Sequence, residues 1–292
     1  MKLSVLMPVY NERATIEEIL RRVQAVATGD HALDLEIIVV DNCSTDGTRE
    51  LLREMLADGQ AEAAETSPGA HRLRIAFQAE NKGKGASVRR ALALARGEWI
   101  IIQDGDLEYD PNDYHRLLRA TTPAQPKVHK SSSNRREAAR VQTPRLAKPH
   151  IAKARRVTTR IPIARDRSQS DIAVFGTRLG LGSAARNGQR RGTFFYGRVG
   201  LSLAFRVLYG RPLSDVATCY KLMRRDTARA LTLRASGFDL DFEIAARLAR
   251  RGVRIREVPV SYYPRDVAQG KKIRVLQDGA RALWTLLKLR FA

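Results

Sequence analysis

The chain has 292 residues, of which 52 are Lys or Arg and 31 are Asp or Glu, so its formal net charge is +21. Hydrophobic residues make up 43% of the sequence, enough for a large core, which argues against a wholly disordered protein. No apolar run approaches the roughly 18 residues that span a bilayer, and no signal peptide is predicted, so we expect a cytoplasmic protein. Two cysteines exclude a disulfide scaffold and a four-cysteine zinc site.

Just over half of the positive excess lies in one segment. Residues 121–170 contain 13 Lys or Arg and two acidic residues, a net charge of +11, which leaves +10 for the rest of the chain. The segment is rich in Pro, Ser, Thr and Gln and cannot bury enough apolar surface to offset its ordering entropy. We therefore predict a basic, disordered low-complexity insertion over 121–170, between an N-terminal part, 1–120, and a C-terminal part, 171–292.

The insertion leaves several interpretations open. It could be a linker, a partner-binding arm or the product of an error in the reading frame. Its charge also suggests a nucleic-acid-binding protein, whose affinity would fall steeply with salt and would depend on residues 121–170.

The N-terminal part alternates between strand and helix patterns. Short apolar runs predict buried strands at 3–8, 35–40, 73–77 and 99–103. One helical pattern begins at about residue 15, and three others cover 48–56, 84–95 and 111–120. Such alternation predicts an α/β fold with a doubly wound, mostly parallel sheet, in which ligands bind at the carboxyl ends of the strands.

The C-terminal part has a less regular pattern. Strands are predicted at 172–177, 220–223 and 254–262, and helices at 193–208, 241–250 and 275–289. In the last helix we expect Leu276, Leu283, Leu286 and Leu287 to face inward. The apolar helix 193–208 contains Arg198 and Arg206, and it fits either a membrane interface or an ordinary buried helix with salt-bridged arginines.

Acidic residues follow the strand predicted at 99–103. Asp104 and Asp106 could both approach one hard divalent cation such as Mg²⁺ or Mn²⁺, and Glu108 could add a third oxygen. The alternative is an ordinary acidic turn, because Asp-Gly is common in turns. Asp41 likewise ends a strand, where it could bind a ribose or a base, or cap an Asx turn.

Basic loops could bind phosphate groups. The glycine-rich segment 81–85 opens a helix and could place a lysine on a diphosphate, or it could be a tight turn with solvated lysines. Arg178 follows a predicted strand, and Arg265 and Lys271 lie on a later loop. Arginine binds phosphate through its bidentate fork, so the three cations form a phosphate site if their loops converge.

Taken together, these segments resemble the family 2 glycosyltransferases with the GT-A fold, in particular the dolichyl- and polyprenyl-phosphate mannose synthases. The segments that carry the resemblance are 5–12, 37–41, 44–48, 81–86, 104–111, 175–178, 218–221, 242–244 and 257–262. The sequence departs from the family pattern at Asn42 and Cys43, where Asp-Gly is common, and in its long basic insertion.

The resemblance implies roles for individual residues. It implies nucleotide-sugar binding by Pro8, Tyr10, Glu12, Val39, Asp41, Asp104, Gly105, Asp106, Arg178, Arg265 and Lys271. It implies a metal site at Asp104 and Asp106 with Glu108 as a further ligand, and catalytic roles for Asp106 and Arg178.

The resemblance also implies a reaction. A metal-dependent, inverting enzyme would move a sugar, with GDP-mannose as the expected donor, to a polyprenyl or dolichyl phosphate while in peripheral contact with the cytoplasmic face of a membrane. The alternatives are a family 2 enzyme that acts on a polysaccharide or another glycan, and a sugar-nucleotide pyrophosphorylase, which would need a glycine-rich loop where residues 8–12 stand.

Overall fold

Eight strands form one sheet in the part of the chain that the structure describes, and both halves of the sequence contribute to it. The structure is a computed structural model, and it describes residues 2–28, 32–64, 73–122, 171–179, 193–265 and 275–292. The predicted disorder over 121–170 therefore falls almost entirely outside the described residues. The strands are β1 (Leu3–Val9), β2 (Leu35–Asp41), β3 (Glu62–Ala63), β4 (Leu73–Phe77), β5 (Trp99–Ile102), β6 (Ile172–Thr177), β7 (Lys221–Arg224) and β8 (Arg254–Pro259).

The strand order is β3-β4-β2-β1-β5-β7-β6-β8. All neighbouring strands are parallel except β7, which lies antiparallel between β5 and β6. All seven residues of β2 are buried, as the continuous apolar run predicted for a strand covered on both faces. The mostly parallel α/β sheet is confirmed. The strand predicted at 220–223 is present as β7, but the sequence did not indicate that it lies antiparallel to its neighbours.

Helices flank the sheet. They are α1 (Ile16–Thr28), α2 (Thr48–Ala57), α3 (Lys84–Leu94), α4 (Tyr114–Arg119), α5 (Thr193–Tyr209), α6 (Arg225–Ala230), α7 (Leu240–Arg250) and α8 (Val275–Phe291). The helix predicted at 111–120 is divided, because Pro111–Asp113 forms a 3₁₀ turn before α4 begins. The inner face of α1 includes Ile16, Ile19 and Val23, which are fully buried.

The prediction for the last helix was partly wrong. Leu286 is fully buried, but Leu276 is 88% exposed and Leu283 is 39% exposed. Helix α8 packs against α5 and α7 through the stripe that carries Ala282 and Leu286, one helical turn apart. Leu276 and Leu283 lie outside that stripe. The helical periodicity therefore predicted the helix correctly, but these two leucines were assigned to the inner face wrongly.

Exposed apolar residues are concentrated on α5 and α8. Nine large hydrophobic side chains are exposed in the described part of the chain, and eight of them lie on these two helices. They are Tyr196, Val199, Leu203 and Val207 on α5, and Leu276, Leu283, Trp284 and Phe291 on α8. None of the described helices is both long enough and apolar enough to cross a bilayer.

The chain after β8 turns toward the loop that follows β5. The predicted strand 254–262 ends at Pro259, and Tyr262 instead forms an isolated antiparallel bridge with Tyr109. The backbone N–H of Tyr263 donates to the carbonyl of Glu108 at 2.8 Å. These contacts place Arg265 next to the acidic loop at 104–108.

Candidate active site

The segments that follow β1, β2 and β5 meet at one edge of the sheet. The strand register sets Val9 opposite Asp41 and Leu6 opposite Ile102, so the three carboxyl ends lie side by side. Together with the loop after β4 and Arg265 they line a cavity of about 400 Å³, here called the first cavity. Eight of the residues predicted to bind the nucleotide sugar or metal line it: Pro8, Tyr10, Glu12, Asp104, Gly105, Asp106, Glu108 and Arg265.

The other predicted site residues lie elsewhere. Val39 and Asp41 are fully buried within β2. The Asp41 carboxylate accepts a hydrogen bond from Arg49 Nε at 2.7 Å and another from the backbone N–H of Ser44, which is the Asx-turn alternative. Its contact with a nucleotide stays a prediction. Arg178 lines a second cavity, described below, and Lys271 lies outside the described residues.

Asp104 forms an ion pair with a lysine from the glycine-rich loop. The Lys84 ammonium lies 2.8 Å from Oδ1 of Asp104. Burial acts to raise the pKa of Asp104, but the charge of Lys84 and its hydrogen bond outweigh burial and hold the pKa below its usual value. Asp104 is therefore a carboxylate at neutral pH.

A buried lysine and aspartate lie behind this pair. Lys84 Nζ is also 3.6 Å from Oδ2 of Asp241, and Lys221 Nζ is 2.9 Å from Oδ1 of the same carboxylate. Lys221 is fully buried and also donates to the carbonyl of Thr218. Asp241 thus lies between two ammonium groups, and it helps to hold Lys84 in contact with Asp104.

The glycine-rich loop reaches this position by close backbone contact. Gly85 donates its N–H to the carbonyl of Ser236 at 2.7 Å. A Cβ atom on Gly85 would lie 2.1 Å from the carbonyl oxygen of Ala235, so no larger residue fits. The loop is a tight turn, as one interpretation predicted, but its Lys84 points into the site and is not solvated as that interpretation expected.

Asp106 lies in a more negative environment than Asp104. Burial, together with the negative charges of Asp104 and Glu108, raises the pKa of Asp106 from its usual 3.8 to about 7. Arg265 opposes this shift, because its Nη2 lies 2.8 Å from Oδ2 of Asp106. The remaining excess of negative charge favours a further cation at this carboxylate.

Arg265 connects three acidic residues of the first cavity. Its Nη1 lies 3.0 Å from Oε2 of Glu12, and its backbone N–H donates to Oε1 of Glu108 at 2.8 Å. The hydroxyl of Tyr262 donates to the other oxygen of Glu108 at 2.9 Å. Both oxygens of Glu108 are therefore engaged, and its predicted role as a metal ligand stays a prediction.

The acidic residues fit a divalent cation that takes only some of its ligands from the protein. Among the described residues, no three His, Cys, Asp or Glu side chains form a preformed metal cluster. Mg²⁺ and Mn²⁺ are commonly held by one or two carboxylates, with phosphate and water in the other positions. Asp104 and Asp106 supply two such carboxylates, and the raised pKa of Asp106 reflects negative charge that a cation would relieve.

A second cavity, of about 490 Å³, adjoins the first. Lys84, Asp104 and Glu108 line both cavities, so these residues form the boundary between them. The second cavity extends between α5 and α8. Its apolar lining includes Leu201, Ala204, Phe242, Leu276 and Leu283.

Two arginines lie in the wall of the second cavity. Arg178 is held by Asp215 through two hydrogen bonds of 2.7 Å, and its guanidinium lies 5.0 Å from the ring centre of Tyr262. Arg198 on α5 is 9% exposed, and burial, together with the charge of Arg178, lowers its pKa. The Asp215 carboxylate offsets one of these two positive charges, so the two arginines and Asp215 together carry a net charge of +1, which favours an anionic ligand.

Arg198 was not among the predicted site residues. The sequence placed it on an apolar helix, but the helix pattern could not show that its side chain faces a cavity shared with Arg178. Asp241 was likewise unassigned. The signal available for both was a charged residue at a position where the helical pattern predicts burial.

More than half of the chain matches a known family. Residues 4–174 match the model of the family described as Glycosyl transferase family 2. The chain is 24% identical over 276 residues to glycosyltransferase AglJ of Haloferax volcanii, covering 94% of this chain and 67% of that protein. It is 24% identical over 292 residues to the dolichyl-phosphate beta-glucosyltransferase of Saccharomyces cerevisiae, covering 99% of this chain and 74% of that protein.

A third relative is matched over a shorter length. The chain is 30% identical over 120 residues to the dolichol-phosphate mannosyltransferase of Pyrococcus furiosus, which covers 41% of this chain. That alignment spans only 30% of the length of the Pyrococcus protein.

The fold is also found in solved structures. Glucosyl-3-phosphoglycerate synthase from Mycobacterium tuberculosis in complex with UDP superposes with a TM-score of 0.57 at 18% identity, covering 99% of this chain and 80% of that one. This likeness confirms the GT-A fold. The match to the family model over residues 4–174 shows that the chain belongs to glycosyl transferase family 2.

Proposed function

We propose that the protein is a metal-dependent, inverting glycosyltransferase that moves a sugar from a nucleotide sugar to a polyprenyl or dolichyl phosphate. GDP-mannose is the first donor to test. Relatives named for transfer to dolichyl and undecaprenyl phosphate support the acceptor class. The observation that carries the proposal is the boundary formed by Lys84, Asp104 and Glu108, which would bring a donor in one cavity next to an acceptor in the other.

In this proposal the first cavity binds the nucleotide sugar and is called the donor cavity from here on, and the second cavity binds the acceptor and is called the acceptor cavity. Asp104 and Asp106 hold Mg²⁺ or Mn²⁺, with Glu108 as a further ligand, and Arg265 and Lys271 contact the diphosphate. Solved relatives crystallised with Mn²⁺ or with Mg²⁺ and UDP support the use of a divalent metal. When bound, the cation stabilises negative charge on the departing diphosphate.

The acceptor cavity binds the lipid phosphate. Arg178 and Arg198 orient the phosphate group, and the apolar residues between α5 and α8 contact the first part of the lipid chain. A phosphate monoester has a second pKa of about 6, so it is mostly a dianion at neutral pH. It can therefore attack without giving up a proton to a general base.

The proposed step is a single in-line displacement. A phosphate oxygen of the acceptor forms a bond to the anomeric carbon of the sugar, while the bond from that carbon to the diphosphate oxygen breaks. The electron pair of the broken bond leaves with the nucleoside diphosphate. Attack opposite the leaving group inverts the anomeric carbon.

The exposed apolar faces of α5 and α8 support contact with a membrane. The acceptor cavity lies between these helices, and Leu276 and Leu283 both line it and are exposed. Basic side chains on the same helices, including Arg206, Lys288 and Arg290, would attract anionic headgroups. We propose peripheral binding at the cytoplasmic face, with the lipid acceptor entering between α5 and α8.

The proposal is tested by direct transfer. The protein is incubated with Mg²⁺ or Mn²⁺, polyprenyl phosphate and a panel of radiolabelled nucleotide sugars, and the organic phase is counted. We expect label in the organic phase with one donor, and loss of that label on adding EDTA. Label that enters only a soluble glycan would support the glycan-acceptor alternative, and label in neither phase would contradict both.

A further inference from the structure

An amide pair lies at the end of the donor cavity away from the acidic loop. Asn42 follows β2 and Asn81 follows β4, and both line the cavity. In the order β4-β2-β1-β5, these strands are two and three positions from β5, which carries Asp104 and Asp106. Strands are about 4.8 Å apart, so the amides lie roughly 10 and 14 Å along the sheet from the acidic loop. A nucleotide whose diphosphate lies at β5 therefore extends its base toward them.

Backbone hydrogen bonds fix the orientation of both amides. The N–H of Lys82 donates to Oδ1 of Asn42 at 2.9 Å, and the N–H of Gly83 donates to Oδ1 of Asn81 at 3.0 Å. Asn42 Nδ2 donates to the same Oδ1 of Asn81 at 2.7 Å. Reversing either amide would bring two donors face to face, so the two nitrogen atoms are identified by their partners.

This arrangement determines what the pair offers to a ligand. Asn81 Oδ1 already accepts two hydrogen bonds, while its amino group donates none within the described residues. Asn42 has one further N–H, since Nδ2 carries two hydrogens and one of them is bound to Asn81. Toward the cavity, Asn81 is therefore a hydrogen-bond donor only, and Asn42 can add a second donor.

We propose that the amino groups of Asn42 and Asn81 donate to a ring carbonyl of the donor's base and thereby select keto bases. Uracil and guanine carry a carbonyl oxygen where cytosine and adenine carry an amino group. The amino group of cytosine or adenine would face the amino groups of the two asparagines, and neither would find a hydrogen-bond acceptor. A binding site rejects a ligand strongly when such buried polar groups stay unpaired. The inference rests on the proposed function and adds a specificity determinant to it.

The departure from the family pattern at position 42 fits this role. An aspartate there could accept from the Lys82 N–H but could not donate to Asn81 Oδ1, so the bond that joins the two loops would be lost. Asn42 is 3% exposed, and its amide lies where a carboxylate would place negative charge beside Asn81. The asparagine is therefore needed for the amide pair itself.

Nucleotide binding measured by isothermal titration calorimetry tests the inference without turnover. The four probes are UDP, CDP, GDP and ADP, each in excess Mg²⁺ with the full-length protein. We expect at least one keto nucleotide to bind about tenfold more tightly than its amino counterpart, UDP against CDP or GDP against ADP.

Two variants assign the preference to the amides. Asn81→Asp keeps the oxygen that accepts from Asn42 and Gly83 but replaces the amino group with an acceptor, so we expect the keto preference to be lost or reversed. Asn42→Asp breaks the bond to Asn81 and should weaken the same preference. Gln24→Glu, an equivalent change on the exposed side of α1, should leave all four affinities within about twofold of the original values.

The outcomes separate this inference from the proposed function. Equal affinity for keto and amino nucleotides overturns the inference and leaves the proposed function standing, as does an unchanged preference in a folded Asn81→Asp protein. Asn81 is exposed, so this variant is expected to fold, and thermal unfolding checks it. Failure of all four nucleotides to bind would contradict the proposed function itself.

Discussion

The guanidinium of Arg265 lies 2.8 Å from the carboxylate of Asp106, across 159 residues of sequence. The pair closes the acidic end of the donor cavity, because Arg265 also contacts Glu12 on the loop after β1. Asp104 has the same kind of partner in Lys84. Both aspartates assigned to the metal thus already contact a cation of the chain, which keeps two neighbouring carboxylates together in a buried site.

Replacing Asp106 should abolish transfer. Asp106→Asn removes one of the two carboxylates assigned to the metal, and we expect at least a 100-fold loss of turnover, on the order of effects seen when one charge-stabilising group is removed. Mn²⁺ binding, measured by electron paramagnetic resonance, should weaken in parallel. Asp58→Asn, at the exposed end of α2, is the matched control and should keep both properties. Normal turnover by Asp106→Asn would refute the site assignment.

The stability of the metal-free protein should depend on the charge of Asp106. Its pKa is raised to about 7 by burial and by Asp104 and Glu108, with Arg265 opposing. The folded state then binds a proton that the unfolded state has released, so the free energy of unfolding falls as pH rises from about 4 to about 7. In EDTA, the free energy of unfolding of the Asp106→Asn protein should equal that of the original protein near pH 4. At pH 8 it should be higher by on the order of 3 kcal/mol. Urea titrations across this range measure the difference, and a constant difference at all pH values would contradict the prediction.

Lys84 should be essential where its neighbour Lys82 is not. Lys84→Met leaves Asp104 without its ammonium partner in a buried site, and breaking a buried pair in this way costs about 3–5 kcal/mol. We expect a lower melting temperature and a loss of transfer. Lys82 pairs with Glu80 at the surface, so Lys82→Met should change stability by less than about 1 kcal/mol. Equal effects of the two substitutions would show that Lys84 has no special role.

Local sequence patterns predicted the parallel half of the sheet well. Strands β1, β2 and β5 are buried apolar runs that end at Val9, Asp41 and Ile102. Their periodicity and chain order indicate which edge of the sheet carries the ligand. The acidic loop and the glycine-rich loop were identified because their residue types suggest chemistry at that edge.

The rest of the site depends on pairings that no local pattern encodes. The antiparallel insertion of β7 between β5 and β6 brings Lys221 to Asp241, behind the pair of Lys84 and Asp104. Arg265 meets Glu12 across 253 residues. The inner face of α8 depends on how it packs against α5 and α7, which is why Leu276 and Leu283 were assigned to the wrong side. These features come from tertiary contacts between distant segments.

Arg198 should contribute to acceptor binding and not to donor binding. Arg198→Met removes a buried charge from the wall of the acceptor cavity, so we expect the KM for polyprenyl phosphate to rise about tenfold or more. The affinity for nucleoside diphosphate should stay within about twofold, because Arg198 does not line the donor cavity. Arg206→Met, on the exposed side of the same helix, is the control for loss of a positive charge on α5. An equal rise in KM for Arg206→Met would assign the effect to general attraction by the helix.

The exposed stripe on α5 should determine membrane binding. Leu203 and Val207, one helical turn apart, are 59% and 76% exposed, so charged residues can replace them without disturbing the core. Leu203→Glu with Val207→Glu should reduce flotation with anionic vesicles by about tenfold or more, because it removes apolar contact and adds repulsion from the headgroups. It should also raise the KM for a long polyprenyl phosphate more than for a short, water-soluble analogue.

A substitution on another surface separates this effect from a change in net charge. Ala57→Glu adds the same kind of charge at the exposed end of α2, far along the chain from α5 and α8, and should leave flotation nearly unchanged. If both proteins float equally well, α5 does not contact the membrane. If Ala57→Glu alone lowers flotation, the membrane-facing side of the protein includes α2. The exposed apolar residues at the opening between α5 and α8 would then not be explained by membrane contact.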